Sequence, residues 1–115
     1  MTDALLTPEL DAALITRIET LLEDHPIVLF MKGEPEAPMC GFSAKAVAML
    51  NHIGTPYHTV NILEDEALRQ GLKVYGDWPT FPQLYVGAEL IGGADIMAEM
   101  FQSGELAEAL KSASH

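Results

Sequence analysis

The chain has 115 residues, of which 49% are hydrophobic and 20% are charged, a composition typical of one globular domain and not of a disordered segment. Seventeen Asp and Glu residues against six Lys and Arg give a formal net charge of -11, which repels the phosphate backbone of nucleic acids. No apolar run approaches the roughly 20 residues that cross a bilayer, and the first ten residues lack the features of a secretory signal. We therefore expect a single cytoplasmic domain over residues 1–115, with neither nucleic acid nor membrane as a partner.

The first predicted helix begins at Thr7-Pro8, where a capping residue precedes a proline suited to the first helical position. Apolar residues then recur at helical spacing as far as Asp24, and Pro26 prevents the helix from continuing. The following "IVLFM" (27–31) has no polar interruption, which indicates a strand covered on both faces of a sheet. Lys32-Gly33 ends this strand, and residues 34–39, which include two prolines, are predicted to form a loop.

The only cysteine, Cys40, comes next, just before a predicted helix that Gly54 and Pro56 terminate. At a helix N-terminus a thiol faces unsatisfied N–H groups and the positive end of the helix dipole, which favour the reactive thiolate. A lone cysteine is more often a small buried hydrophobe, but Cys40 lies outside the apolar stripe and beside Gly41. We therefore favour a functional thiol. Because the chain has no second cysteine, any thiol chemistry must recruit its other sulfur from elsewhere.

The remaining pattern predicts a strand in "YHTVNI" (57–62) and a short helix closed by Gly76. Two further strands flank Gly87-Ala88 as a tight hairpin, and two short helices separated by Gly104 complete the chain. Strand–helix–strand followed by a hairpin and helix fits a mixed four-stranded sheet with helices on both faces. The predicted class is therefore α/β.

Four motifs in this order resemble the single-domain monothiol glutaredoxins of the CGFS class. They are "KG" (32–33), "CGFS" (40–43), "WPTFPQLYV" (78–86) and "GGAD" (92–95). The resemblance implies a thioredoxin-like fold with a glutathione groove beside Cys40, and a cis peptide bond before Pro82.

The same resemblance implies how the groove holds glutathione. Lys32 and Arg69 would contact its glycyl carboxylate, and the backbone of Phe81 and Pro82 would pair with the tripeptide. Its γ-glutamyl end would lie against the other two cofactor-binding residues, which are Ala94 and Asp95.

Each of these residues also has a plainer interpretation. Lys32 and Arg69 could be ordinary surface cations, and Asp95 could simply cap a helix. For Trp78 we favour packing at the edge of the core, and Ser43 is given no role beyond that of an N-cap hydroxyl.

Bound glutathione would supply the second sulfur that the chain lacks. The resemblance implies that Cys40 and one glutathione thiolate from each of two copies are the four ligands of a bridging [2Fe-2S] cluster. The expected function is iron–sulfur cluster carriage and iron homeostasis, with a second copy, a BolA-like protein and iron–sulfur acceptor proteins as partners. The alternative is a glutathione-dependent thiol–disulfide oxidoreductase with Cys40 as its nucleophile. The resemblance implies that this activity is at most weak, so whether the protein is an enzyme stays open.

Overall fold

The computed structural model describes residues 7–114. Residues 1–6 and 115, which the predicted domain includes, lie outside the described residues. The described part contains five α-helices: α1 (Ala12–Asp24), α2 (Gly41–Ile53), α3 (Glu66–Tyr75), α4 (Ala94–Ser103) and α5 (Glu105–Ala113). Its six strands are β1 (Ile27–Met31), β2 (Gly33–Glu34), β3 (Ala37–Pro38), β4 (His58–Asn61), β5 (Gln83–Val86) and β6 (Glu89–Gly92).

Four strands form one mixed sheet in the order β4-β1-β5-β6. The central strand β1 runs parallel to β4 and antiparallel to β5, and β5 pairs with β6 through the predicted hairpin. The parallel pair is connected through α2, as expected for a crossover between parallel strands. The predicted mixed four-stranded sheet is thus confirmed.

Strand β1 separates two hydrophobic clusters. Val28 and Phe30 pack with α1 and α3 on one face, whereas Ile27, Leu29 and Met31 pack with α2, α4 and α5 on the other. Because successive side chains of a strand point to opposite faces, both clusters require apolar residues, which explains the uninterrupted run. Helices therefore cover both faces of the sheet, as predicted.

The predicted start of the first helix at Thr7-Pro8 is wrong. Thr7 and Leu10 instead close a tight turn, in which each backbone N–H donates to the other residue's carbonyl oxygen at 3.1 Å. Helix α1 begins after Asp11, whose Oδ1 accepts a hydrogen bond from the N–H of Leu14 at 2.8 Å. Leu10 is fully buried, so its burial in the core fixes the turn ahead of the helix.

The predicted loop over residues 34–39 is more ordered than expected, because β2 and β3 pair as a short antiparallel hairpin. Gly33 begins the hairpin with φ +95°, a conformation that favours glycine. The hairpin brings the N–H of Met39 to 2.8 Å from the carbonyl oxygen of Lys32. Cys40 is thereby held at the carboxyl end of β1.

The predicted strand over 57–62 is shorter in the structure, since β4 ends at Asn61 and a single 3₁₀ turn follows over Ile62–Glu64. The Oδ1 of Asn61 accepts hydrogen bonds from the N–H groups of Gly33 (2.9 Å) and Leu63 (3.0 Å), so its side chain turns the chain out of the sheet.

None of the helices within residues 7–114 is long and apolar enough to cross a membrane.

Candidate functional site

A groove with a volume of about 430 Å³ opens beside Cys40. It lies between the start of α2, the segment that precedes β5 and the start of α4. The groove brings together six of the seven residues that the sequence predicts for the site: Lys32, Cys40, Phe81, Pro82, Ala94 and Asp95.

Cys40 is the N-cap residue of α2, as predicted. Its Sγ accepts a hydrogen bond from the N–H of Ser43 at 3.3 Å and lies 3.4 Å from the Oγ of the same residue. Ser43 itself is fully buried, and its Oγ accepts a hydrogen bond from the backbone N–H of Lys32 at 3.0 Å. The interpretation of Ser43 as an N-cap hydroxyl is therefore wrong, because Cys40 caps the helix and Ser43 connects the thiol to the end of β1.

The pKa of the Cys40 thiol lies below its usual value. Partial burial raises this pKa, but hydrogen bonds from the Ser43 side chain and from the backbone N–H groups of Ser43 and Phe42 lower it. The positive charge of Lys32 lowers it further. The net effect favours the thiolate, which is the nucleophilic and metal-binding form of cysteine.

The second wall of the groove is the segment from Trp78 to Pro82. The peptide bond between Phe81 and Pro82 is cis, as predicted, and both residues are buried. The buried side chain of Gln83 stabilises the backbone of this segment, because its Nε2 donates to the carbonyl oxygens of Trp78 (3.0 Å) and Thr80 (3.3 Å).

The third wall is the N-terminus of α4. Gly93 occupies the N-cap position, and no side chain caps the helix there. Asp95 lies exposed in the first turn and lines the groove, but its side chain does not cap the helix. The first backbone N–H groups of a helix have no partner within the helix, which makes this wall suited to a carboxylate.

Arg69 is the one predicted site residue that does not line the groove. It lies on α3, where its Nη1 is 3.4 Å from Oε1 of Glu66. Its Nε is buried and has no hydrogen-bond partner among residues 7–114. A contact between Arg69 and glutathione therefore stays a prediction.

Sequence reasoning missed two features of the site. Trp78, which we assigned to core packing, is half-buried and lines the groove with part of its surface. The side chains on either side of the thiol, Met39 and Phe42, are 68% and 59% exposed. Met39 precedes Cys40 and Phe42 follows two residues after it, so their closeness in the sequence to the predicted thiol was the available signal.

Comparison with known proteins agrees with the fold and the motifs. Residues 27–91 match the glutaredoxin family model. The chain is 52% identical over 108 residues to the chloroplastic monothiol glutaredoxin-S14 of Arabidopsis thaliana. It is also 50% identical over 94 residues to the probable monothiol glutaredoxin 2 of Rickettsia typhi.

The extent of these matches differs between relatives. The alignment covers 94% of this chain and 60% of the Arabidopsis protein, but 82% of this chain and 85% of the Rickettsia protein. The chain thus spans less than two thirds of the length of the Arabidopsis relative.

A solved structure, reduced apo GrxS14 from poplar, superimposes with a TM-score of 0.78 at 50% identity, covering 88% of this chain and 93% of that one. The holo form of glutaredoxin C1 from poplar superimposes with a TM-score of 0.80 at 30% identity, covering 94% and 95% of the two chains. The fold is therefore thioredoxin-like, as predicted. Together with the family match and the single thiol at the start of α2, this places the chain in the glutaredoxin family, among the monothiol glutaredoxins.

Proposed function

We propose that the protein binds glutathione in the groove and carries a [2Fe-2S] cluster between two copies of the chain, as a donor in iron–sulfur cluster transfer and iron homeostasis. The observation that carries this proposal is the single thiol of Cys40, which lines the groove and whose Sγ accepts a hydrogen bond from the N–H of Ser43.

The donor set fits such a cluster only if sulfur ligands come from outside the chain. Cys40 is the only cysteine, and within residues 7–114 no group of three or more His, Cys, Asp or Glu residues is placed to hold a metal ion. Iron–sulfur clusters are held by four soft sulfur ligands. Two copies, each contributing Cys40 and the thiolate of one glutathione, supply these four.

The groove suits glutathione because its chemistry differs along its length. Lys32 provides a positive charge near Cys40, and the uncapped N-terminus of α4 provides N–H donors at another wall. Glutathione carries a carboxylate at each end and a thiol in the middle. The lining residues can therefore hold both carboxylates while the thiol lies beside Cys40.

The cluster is cargo in this proposal. Because glutathione is held without a covalent bond to the protein, half of the sulfur ligands can leave with little cost, which favours transfer over permanent retention. The related glutaredoxin C1 from poplar has been solved in a holo form, which supports the idea that this fold can carry a bound group.

Met39 and Phe42, which lie one and two residues from Cys40 in the chain, expose large apolar side chains, and Phe42 lines the groove. We propose that this surface contacts whichever protein shares or receives the cluster: a second copy, a BolA-like protein or an iron–sulfur acceptor. Exposed apolar patches beside a functional group are typical of such contact sites.

Anaerobic reconstitution with ferrous iron, sulfide and glutathione tests the proposal. We expect visible absorption from the cluster and a dimeric mass, both of which require glutathione. The Cys40→Ser variant should fold but remain colourless and monomeric, because Cys40 is not part of either core cluster. A colourless monomer from the native chain under every condition would refute cluster carriage.

The lowered pKa of Cys40 favours one second function, which is removal of glutathione from protein mixed disulfides. The Cys40 thiolate would attack the glutathione sulfur, forming a Cys40–glutathione disulfide and releasing the protein thiolate. A second glutathione thiolate would then attack that disulfide, regenerating Cys40 and releasing glutathione disulfide. Rapid turnover of a glutathionylated peptide by the native chain, with none in Cys40→Ser, would establish this activity beside cluster carriage.

A further inference from the structure

The indole of Trp78 faces the uncapped start of α4. A Cβ atom built on Gly93 would lie 3.3 Å from the indole Nε1 and 3.3 Å from the carbonyl oxygen of Pro82. The nitrogen-bearing edge of the ring therefore borders the point where the backbone N–H groups of α4 open into the groove.

The backbone of Trp78 is fixed on both sides. Its N–H donates to the carbonyl oxygen of Lys73 at 3.0 Å, and its own carbonyl oxygen accepts from the buried Gln83 at 3.0 Å. Because both backbone groups of Trp78 are hydrogen-bonded, the Cα from which the ring extends is fixed relative to the groove.

The backbone groups of Trp78 are hydrogen-bonded. Its indole N–H, in contrast, has no hydrogen-bond partner among residues 7–114. An indole nitrogen can only donate, and the Nε1 of Trp78 lies beside the start of α4, where the groove is lined by Gly93 and Ala94. In the groove the donor can meet an acceptor on a ligand.

We propose that the Nε1–H of Trp78 donates a hydrogen bond to the carboxylate of the γ-glutamyl residue, and so selects glutathione over thiols that lack this residue. Trp78 is then a specificity-determining residue, with a function beyond core packing. The inference rests on the proposed binding of glutathione, and it adds a side-chain donor to the N–H groups of α4.

The test compares two disulfides that differ only in the γ-glutamyl residue: glutathione disulfide and the disulfide of cysteinylglycine. In both reactions the Cys40 thiolate attacks one sulfur, a mixed disulfide forms and the other half leaves as a thiolate. Mass spectrometry gives the equilibrium constant for each mixed disulfide. The ratio of the two constants measures the preference for glutathione.

In Trp78→Phe, which keeps an aromatic ring but removes the donor, we expect this ratio to fall about tenfold, as for the loss of a hydrogen bond to a charged group. The constant for cysteinylglycine should not change. The matched control is Tyr57→Phe, which removes one donor from an aromatic ring outside the groove and should leave both constants unchanged.

A second measurement uses Trp78 as its own reporter, because it is the only tryptophan of the chain. In the Cys40→Ser variant, which cannot form a mixed disulfide, reduced glutathione should change the indole emission in a saturable way. Cysteinylglycine at the same concentrations should change it much less.

The outcomes separate this inference from the function on which it rests. If the native chain prefers glutathione and Trp78→Phe keeps that preference, the proposed role of Trp78 is refuted, while glutathione binding in the groove is not. If Trp78→Phe lowered the equilibrium constants of both mixed disulfides equally, this role would also be refuted, because the ring would then contribute only packing. If the native chain has no preference for glutathione, the proposed glutathione site itself fails.

Discussion

The Oγ of Ser43 lies 3.4 Å from the Sγ of Cys40. The same oxygen accepts a hydrogen bond from the backbone N–H of Lys32, and a hydroxyl has a single proton to donate. When Cys40 is ionised, that proton is therefore free to point at the sulfur. The end of β1 and the start of α2 together orient the group that stabilises the thiolate.

Ser43→Ala should raise the pKa of Cys40, because it removes the side-chain hydrogen bond that lowers it. We expect the rate of alkylation of Cys40 by iodoacetamide to reach its half-maximum at a higher pH than in the native chain. The free energy of unfolding should also fall by about 1–3 kcal/mol, since the N–H of Lys32 loses its acceptor.

The exposed Ser103, whose Oγ donates to the carbonyl oxygen of Met100, offers a matched control. Ser103→Ala should leave the alkylation profile unchanged. An unchanged profile in Ser43→Ala as well would show that the hydroxyl does not act on the thiol.

Lys32→Ala should weaken glutathione binding, because it removes the positive charge that lines the groove beside Cys40. A partly desolvated, charge-assisted hydrogen bond contributes about 1.5–3 kcal/mol, which corresponds to a rise in Kd of roughly 10- to 150-fold. Calorimetry on the Cys40→Ser background measures the non-covalent affinity alone.

Lys111→Ala is the control for net charge, since Lys111 is exposed on α5 and does not line the groove. If both lysine variants weaken binding equally, the effect belongs to the overall charge of the chain, and Lys32 is an ordinary surface cation.

Two glycines near the thiol should respond to alanine in opposite ways. At Gly33 the φ of +95° is unfavourable for alanine, and its Cβ would lie 2.7 Å from the carbonyl oxygen of Ala37 and from the backbone nitrogen of Met39. We expect the unfolding free energy of Gly33→Ala to fall by about 2 kcal/mol or more. Urea denaturation measures it.

At Gly41, in contrast, an added Cβ meets nothing within 4 Å. Because alanine is the better helix former by up to about 1 kcal/mol, Gly41→Ala should be as stable as the native chain or slightly more so. Similar destabilisation in both variants would contradict this interpretation of the hairpin.

The imidazole rings of His25 and His58 are stacked, with centroids 3.8 Å apart and planes 2° from parallel. Burial and the nearby charge of His25 lower the pKa of His58. The pKa of a histidine in an unfolded chain is about 6.5, so as the pH falls through that value the unfolded state takes up a proton before the native state does. The unfolding free energy should therefore decrease from about pH 7 downwards and level off below the native pKa.

We expect His58→Phe to reduce this pH dependence, measured by urea denaturation between about pH 7 and 5.5. His25→Phe should reduce it only in part, because the burial of His58 remains. If the unfolding free energy of both variants changed with pH as steeply as that of the native chain, the His25–His58 pair would not contribute to the pH dependence of stability.

The parts of the fold that follow a regular pattern were predictable from the sequence. The run 27–31 identified the central strand because both of its faces need apolar side chains, and Cys40 could be placed at a helix start because the apolar stripe begins after it. The thioredoxin-like fold and the cis bond before Pro82 followed from the resemblance. Each of these predictions is confirmed by the structure or by the comparisons.

The parts that failed either show no regular sequence pattern or depend on contacts made only in the folded chain. Thr7 and Asp11 are both residue types that cap helices, and in the structure Thr7 is held in a turn with Leu10 while Asp11 caps α1. Strands of two residues, such as β2 and β3, are too short to show any periodicity. The function of Ser43 and the position of Trp78 could not be found locally either, because each depends on where β1 or α4 lies in space.

The amide of Gln83 lowers the entropic cost of ligand binding. By holding the carbonyl oxygens of Trp78 and Thr80, it gives one wall of the groove its shape before any ligand arrives. Binding then has to order little of the protein, so the entropic cost falls mainly on the flexible tripeptide. A substitution at Gln83, although behind the groove, should therefore lower ligand affinity by loosening a preorganised surface, with every contacting side chain still present.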